Sequence, residues 1–61
     1  MFDLRTLRIK YGLSQDELAS EMDCNRSTIA MIETGKNEPS IKLAKKLAKY
    51  FDVDWTVFFK D

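Results

Sequence analysis

The stretch SQDELASEMDCNRSTIAMIETG, Ser14–Gly35, carries the strongest structural signal in this chain of 61 residues. It begins with a capping box, in which the Ser14 hydroxyl accepts from the third helical amide and the Glu17 carboxylate reaches back to the Ser14 amide. Apolar side chains then recur at helical spacing, which predicts a helix over about 15–22. The polar turn that follows ends in a good N-cap residue, and a second helix is predicted over about 26–34, ending at the glycine.

Two helices joined by so short a turn must cross steeply, which is the helix-turn-helix arrangement. On the second helix Ile29, Ile32 and the Thr28 methyl share one side, which we expect to face the core. The opposite side carries Arg26, Ser27, Ala30, Met31 and Thr34. These side chains are short or extensible and leave a face without bulky obstruction. From spacing alone, such a pair is consistent both with DNA binding and with a purely structural role.

The segments on either side predict three more short helices and no strand. One runs over about 2–11 and stops at Gly12, because glycine adopts the left-handed conformation freely. Another, over about 41–51, follows Pro39-Ser40, and its predicted core stripe is Ile41, Ala44, Leu47, Ala48 and Phe51. A last helix, capped by Asp54, carries Trp55, Val57, Phe58 and Phe59. The expected fold is therefore a single all-α domain of five helices spanning residues 1–61.

Composition excludes several classes of function. The chain has no histidine and one cysteine, so it lacks the side chains for a zinc site, an internal disulfide or His-based catalysis. We therefore expect no metal, no cofactor, no small-molecule ligand and no enzymatic activity. No apolar run approaches the roughly 20 residues of a membrane span, and an unpaired cysteine fits a reducing compartment, so a cytoplasmic location without a membrane partner is expected.

Charge is unevenly distributed although the formal net charge is zero. Residues 24–50 carry six basic and two acidic side chains, a net charge of +4, while both flanking segments are acidic. The basic excess therefore coincides with the second helix of the pair and the helix after it. In that following helix, Lys42 is a candidate for contact with the phosphate backbone of a nucleic acid. Lys45, Lys46 and Lys49 are expected to be solvated.

Short motifs along the chain occur in the order and register of one known family. They are Leu7-Arg8, Gly12-Leu13-Ser14-Gln15-x-Glu17-Leu18-Ala19, Ser27-Thr28-Ile29-x-x-Ile32-Glu33-x-Gly35-Lys36, Pro39-Ser40, Leu47-Ala48 and Phe58-Phe59. From Leu4 to Phe59 the chain resembles the Cro and lambda-repressor-like, or XRE, family of helix-turn-helix regulators. The resemblance implies a compact five-helix domain that places its third helix in the major groove of double-stranded DNA. Asp23 and Asp52 depart from it, since the family usually has glycine at both positions.

The resemblance divides the candidate DNA contacts into two groups. The base-reading candidates are Arg26, Ser27, Ala30 and Met31, and the phosphate candidates are Gln15, Asn25, Thr28, Thr34, Lys36 and Asn37. Arg26 is the favoured reader because a guanidinium matches guanine O6 and N7, the alternative being a phosphate contact. Met31 replaces the long polar side chain common in the family, and it would contact a thymine methyl instead.

Other residues have expected structural roles. Arg8 and Glu33 resemble the family's ion pair between the first helix and the end of the third. Cys24 occupies a small apolar position, which favours a buried inert thiol. Trp55, Phe58 and Phe59 are the predicted homodimer surface, because so many aromatics exceed what a short terminal helix can hide and a domain this small buries little surface alone.

The leading hypothesis is a homodimeric transcription regulator, a repressor, that reads a two-fold symmetric operator. The alternative is a protein-interaction module, such as an antitoxin or anti-regulator, on the same scaffold. Zero net charge and the apolar Met31 favour the alternative, whereas Arg26, Gln15 and Lys36 favour DNA. Binding to random duplex DNA that weakens with salt would separate the two hypotheses.

Overall fold

The computed structural model describes residues 3–59, which form four α-helices and a terminal 3-10 helix. The helices are α1 (Leu4–Lys10), α2 (Gln15–Met22), α3 (Arg26–Glu33) and α4 (Ile41–Phe51), and the 3-10 helix is Trp55–Phe58. The last element is therefore not the fifth α-helix that the sequence predicted. Phe59 already has extended backbone, so only four residues are helical, and runs this short commonly close i to i+3 hydrogen bonds. Residue 2, which the sequence placed in the first helix, lies outside the described residues.

Local side-chain hydrogen bonds begin most of the helices. At α2 the capping box is present: the Glu17 amide donates to Ser14 Oγ over 3.0 Å, and the Ser14 amide donates to Glu17 Oε1 over 2.8 Å. Ser40 caps α4 in the same way, its hydroxyl accepting from the Leu43 amide. Asn25 stands at the N-cap position of α3 but makes no side-chain cap, contrary to expectation. Its side chain is exposed.

Two aspartates end helices in the conformation that glycine usually adopts. Asp23 after α2 and Asp52 after α4 both have φ of 57°, in the left-handed region. An aspartate there costs roughly 1–2 kcal/mol relative to glycine in the absence of local hydrogen bonds, and its short polar side chain offsets part of that cost. The substitutions thus keep the sharp exit of each helix that the family's glycines provide.

The core draws on every helix. Its buried members are Leu4, Leu18, Ala19, Met22, Ile29, Ala44, Leu47, Ala48, Phe51 and Phe58. Ile41, predicted in the same stripe, is instead 57% exposed. It is the first residue of α4 and lies one turn before Ala44, where burial begins, while the preceding Pro39 is buried in the chain segment that enters the helix.

The end of α2 is held by one hydrogen bond within the turn and by one from α4. Within the turn, the Cys24 amide donates to the Ala19 carbonyl over 2.9 Å. From α4, Lys46 Nζ donates to the Met22 carbonyl at the end of α2 over 3.0 Å. Lys46 is thus a structural contact rather than the purely solvated side chain expected, because its ammonium satisfies a carbonyl that the helix leaves unpaired.

Candidate nucleic-acid interface

The outer face of α3 is open over its whole length. Arg26, Ser27 and Met31 are exposed and Ala30 is half-buried, whereas Ile29 on the opposite side is fully buried in the core. Because one side is anchored by packing, the other side is presented as a rigid surface. The structure therefore brings the four base-reading candidates together on one helix face.

The start of α2 lies beside the start of α3. Gln15, the first residue of α2, accepts through Oε1 from Arg26 Nη1 over 3.4 Å. Asp16 follows it, and its Oδ1 lies 3.7 Å from Arg26 Nε, with both side chains largely exposed. The sequence analysis did not identify Asp16, because an acidic residue in a first helical turn is already explained by the helix dipole.

Beneath this junction lies a buried ion pair. Arg8 Nε donates to Glu33 Oε2 over 2.6 Å and Arg8 Nη2 donates to Glu33 Oε1 over 3.2 Å, a bidentate arrangement. Arg8 Nη1 also donates to the Leu13 carbonyl over 2.7 Å. The two side chains are only 10% and 3% exposed. The pair joins α1 to the last turn of α3, as the resemblance implied.

The buried pair is connected to the surface through Gln15. Its Nε2 donates to Glu33 Oε1 over 3.0 Å, which leaves Oε1 of the same amide directed at Arg26. A continuous polar chain thus runs from Arg8 through Glu33 and Gln15 to Arg26. The orientation of the Gln15 amide is set by a carboxylate that the core itself fixes.

The Glu33 carboxyl is held ionised. Burial on its own raises its pKa, but the hydrogen bonds from Arg8 and Gln15, with the charges of Arg8 and Arg5, outweigh burial and lower the pKa below its ordinary value. The same hydrogen bond from Arg8 to the carboxylate raises the pKa of the Arg8 guanidinium. Both members of the pair therefore remain charged at neutral pH.

The remaining phosphate candidates border α3. Asn25 and Thr28 lie at its N-terminal end, the first exposed and the second half-buried. At its C-terminal end the Met31 carbonyl accepts from the Thr34 hydroxyl and from the backbone amides of Lys36 and Asn37. The Asn37 amide group also lies 3.4 Å from the Met31 sulfur. Candidates at the two ends are separated by the helix length, about 12 Å.

The C-terminal aromatics are less exposed than the sequence predicted. Phe58 belongs to the core at 8% exposure, so the expectation that it lies on an outer surface is wrong. Trp55 and Phe59 are half-buried and meet edge-to-face, with ring centroids 5.8 Å apart. Lys45 Nζ lies 5.6 Å from the Trp55 ring, a cation–π contact rather than a purely solvated side chain.

Cys24 is half-buried rather than fully buried. Desolvation raises the pKa of its thiol, and the nearby Asp23 charge raises it further, while the Lys46 ammonium partly opposes this. The thiol therefore stays protonated at neutral pH, the unreactive form.

A short two-helix unit, a rigid exposed second helix and a polar junction at its N-terminus together define a helix-turn-helix protein. The model of the Helix-turn-helix family, HTH_3, matches residues 4–58 of this chain. The chain belongs to this family of DNA-binding transcriptional regulators, which are not enzymes.

Individual relatives agree with the family assignment. An uncharacterised HTH-type transcriptional regulator of Archaeoglobus fulgidus is 45% identical over 49 residues, which cover 80% of this chain and 70% of the relative. The HTH-type regulator YqaF of Bacillus subtilis is 36% identical over 95% of this chain and 76% of its own length. The cryptic phage CTXphi transcriptional repressor RstR of Vibrio cholerae is 32% identical over 82% of this chain and 45% of RstR.

No solved structure gives a significant match to the chain. Within residues 3–59, no helix is both long enough and apolar enough to span a bilayer.

Proposed function

We propose that this regulator is a repressor that inserts α3 into the major groove of a two-fold symmetric operator and binds it as a homodimer. The observation that supports base reading most strongly is the position of Arg26. Its side chain is 60% exposed at the first position of α3, on the outer face that also carries Ser27, Ala30 and Met31. Ser27, Ala30 and Met31 complete the proposed reading surface.

Phosphate contacts would hold the helix in register. Gln15 stands at the N-terminus of α2, where free amides and the helix dipole favour an anion, and its amide is already oriented by Glu33. The other proposed phosphate ligands are Asn25, Thr28, Thr34, Lys36 and Asn37. They flank both ends of α3, so contacts there would bracket the groove that α3 enters.

Repression is the simplest consequence of such binding. A protein that occupies DNA excludes other proteins from the same segment without any further activity. The similarity to RstR, which is named as a transcriptional repressor, supports the same direction of control.

Arg26→Ala tests the reading role. We expect it to relax specificity at one operator base pair and to cost about 1–3 kcal/mol of discrimination there, because a bidentate contact to guanine is lost. Lys36→Ala is the contrasting variant, which should weaken operator and random DNA alike and make the salt dependence shallower by about one unit. The operator is obtained by selection from a random duplex pool, and affinities are measured on all single-base-pair substitutions.

Uniform weakening of every sequence by Arg26→Ala would make Arg26 a phosphate contact and contradict base reading. An unchanged salt dependence for Lys36→Ala would remove Lys36 from the phosphate group.

The homodimer is proposed to form through the edge of the C-terminal segment that carries Trp55 and Phe59. Their rings remain half-exposed after packing, whereas Phe58 is internal and a charge there would disrupt the core. Two copies of α3 on one DNA face should lie about 34 Å apart, so half-sites should repeat every 10–10.5 base pairs, roughly one helical turn.

Trp55→Glu is therefore expected to convert a complex of two chains per operator into one of lower stoichiometry and affinity. Sedimentation of the protein–DNA complex gives the number of chains, and footprinting gives the symmetry. Ile9→Glu, at an exposed apolar residue of α1, is the matched control and should leave two chains bound. One wild-type chain per operator with an asymmetric footprint would rule out the dimer.

A protein-interaction module is the second candidate, favoured by the exposed Met31 on the reading face and by zero net charge. This candidate requires that binding to random duplex DNA be absent or insensitive to salt. A steep salt dependence on random duplex DNA would exclude it.

A further inference from the structure

We propose that Asp16 is a positioning residue for sequence reading, which orients the Arg26 guanidinium so that one edge of it faces the DNA. The inference deepens the proposed function and rests on the role of Arg26 given there. It starts from a surface ion pair that joins the first turns of α2 and α3, between Asp16 Oδ1 and Arg26 Nε at 3.7 Å.

Some N–H groups of Arg26 face neighbouring side chains and others do not. Nε faces the Asp16 carboxylate, and Nη1 directs one N–H toward Gln15 Oε1 over 3.4 Å. A guanidinium has five N–H donors, so the second hydrogen of Nη1 and both hydrogens of Nη2 are left over. One hydrogen from each of these two nitrogens forms the end-on edge, which presents two parallel donors, and the other Nη2 hydrogen lies beside Nε on the side-on edge. The side-on edge also requires Nε, which lies 3.7 Å from the Asp16 carboxylate.

The end-on edge is suited to guanine, whose O6 and N7 accept two parallel hydrogen bonds in the major groove. A restraint on Nε therefore favours the approach in which the end-on edge of Arg26 meets the base.

The two side chains that contact Arg26, Gln15 and Asp16, are not held equally well in place. The Gln15 side chain is held by the buried ion pair, because its Nε2 donates a hydrogen bond to Glu33. Asp16 is held by nothing comparable, and its side chain is 80% exposed. In free solution the Asp16–Arg26 pair is therefore weak. Exclusion of water by the DNA lowers the local dielectric and strengthens it at the moment when Arg26 meets the base.

The charge of Asp16 has a second and separable effect. A carboxylate near the DNA repels phosphates of every sequence and lowers all affinities by the same factor. Orientation of Arg26 instead changes the ratio of two affinities, one for the correct operator and one for an operator substituted at the base pair that Arg26 reads. The ratio, not the affinity, therefore reports the positioning role.

The test compares that ratio in four variants. Arg26→Ala first identifies the base pair. Asp16→Asn keeps the shape of the side chain without its charge, and we expect the ratio at that base pair to fall about three- to ten-fold, with the other positions unchanged. Asp16→Glu keeps the charge and should restore most of the ratio. Glu21→Gln removes a charge from the exposed far end of α2 and should leave the ratio unaltered.

An unchanged ratio in Asp16→Asn, where Arg26→Ala has relaxed a base pair, would overturn the positioning role alone. The same fall in Glu21→Gln would show a general charge effect and would also overturn it. If Arg26→Ala relaxes no base pair, the proposed reading role fails and the positioning role falls with it.

Discussion

Glu33→Ala should remove most of the free energy of unfolding of this protein. The substitution leaves the Arg8 guanidinium, 8% exposed, without its bidentate partner in the core. Loss of one member of a buried ion pair costs about 3–5 kcal/mol, because the remaining charge stays desolvated. A chain of this length has a total stability of roughly 3–9 kcal/mol at typical values per residue. Urea denaturation followed by circular dichroism measures the loss.

Two control variants separate the ion pair from its surroundings. Glu21→Ala removes a carboxylate from an exposed position of α2 and should change stability by less than about 0.5 kcal/mol. Glu33→Gln keeps an acceptor for Arg8 but not the charge, and its cost should fall between the two. A Glu33→Ala variant as stable as Glu21→Ala would contradict a role for the pair in holding α1 to α3.

The ion pair should also make the stability of the protein depend on pH. Because the pKa of Glu33 is lower in the folded state than in the unfolded chain, its contribution is complete above the ordinary glutamate range, near 4.3. The contribution is lost as the pH falls through the lowered pKa of the folded state. Denaturation curves taken at decreasing pH should therefore show a steeper loss for the wild type than for Glu33→Gln. Asp54, whose pKa is lowered by its hydrogen bonds from Thr56, adds to the acid sensitivity that Glu33→Gln retains.

Phe51→Ala should be comparably destabilising, by about 3–5 kcal/mol, because a large buried aromatic is replaced by a cavity. Phe51 is 2% exposed, and Tyr11 and Tyr50 contact it edge-on with centroid distances of 4.9 and 5.0 Å. The Tyr11 hydroxyl also donates to the Phe51 carbonyl over 3.3 Å, so α1 and the end of α4 are joined through this residue. In thermal unfolding the midpoint should fall by roughly 12 °C or more.

Tyr50→Ala is the matched control, since the neighbouring ring is 38% exposed and fills no internal space. It should cost no more than about 1.5 kcal/mol, the value of an edge-to-face aromatic pair. Equal losses for the two variants would mean that Phe51 is not the larger packing element, and they would contradict its place in the core.

Residues close together in the chain predict much of the local structure of this protein. The predicted bounds of α2 and α4 coincide with those observed, because Ser14 and Ser40 accept from amides only three residues away. The apolar side chains whose helical spacing predicted α2, Leu18, Ala19 and Met22, are buried. Helical spacing and capping involve few residues, so the sequence determines them without reference to the rest of the fold.

Tertiary packing decided what local patterns could not. Ile41 continues the apolar stripe of α4 but is exposed, while Phe58 was expected at the surface and lies in the core. Lys46 reaches the end of α2, and Asp16 pairs with Arg26 across ten positions of sequence. Each outcome depends on how segments distant in the chain are placed against one another. The sequence by itself therefore determined the bounds of α2 and α4 and the family of the chain. The exposure of Ile41, the burial of Phe58 and the side chains that lie beside Arg26 followed only from packing.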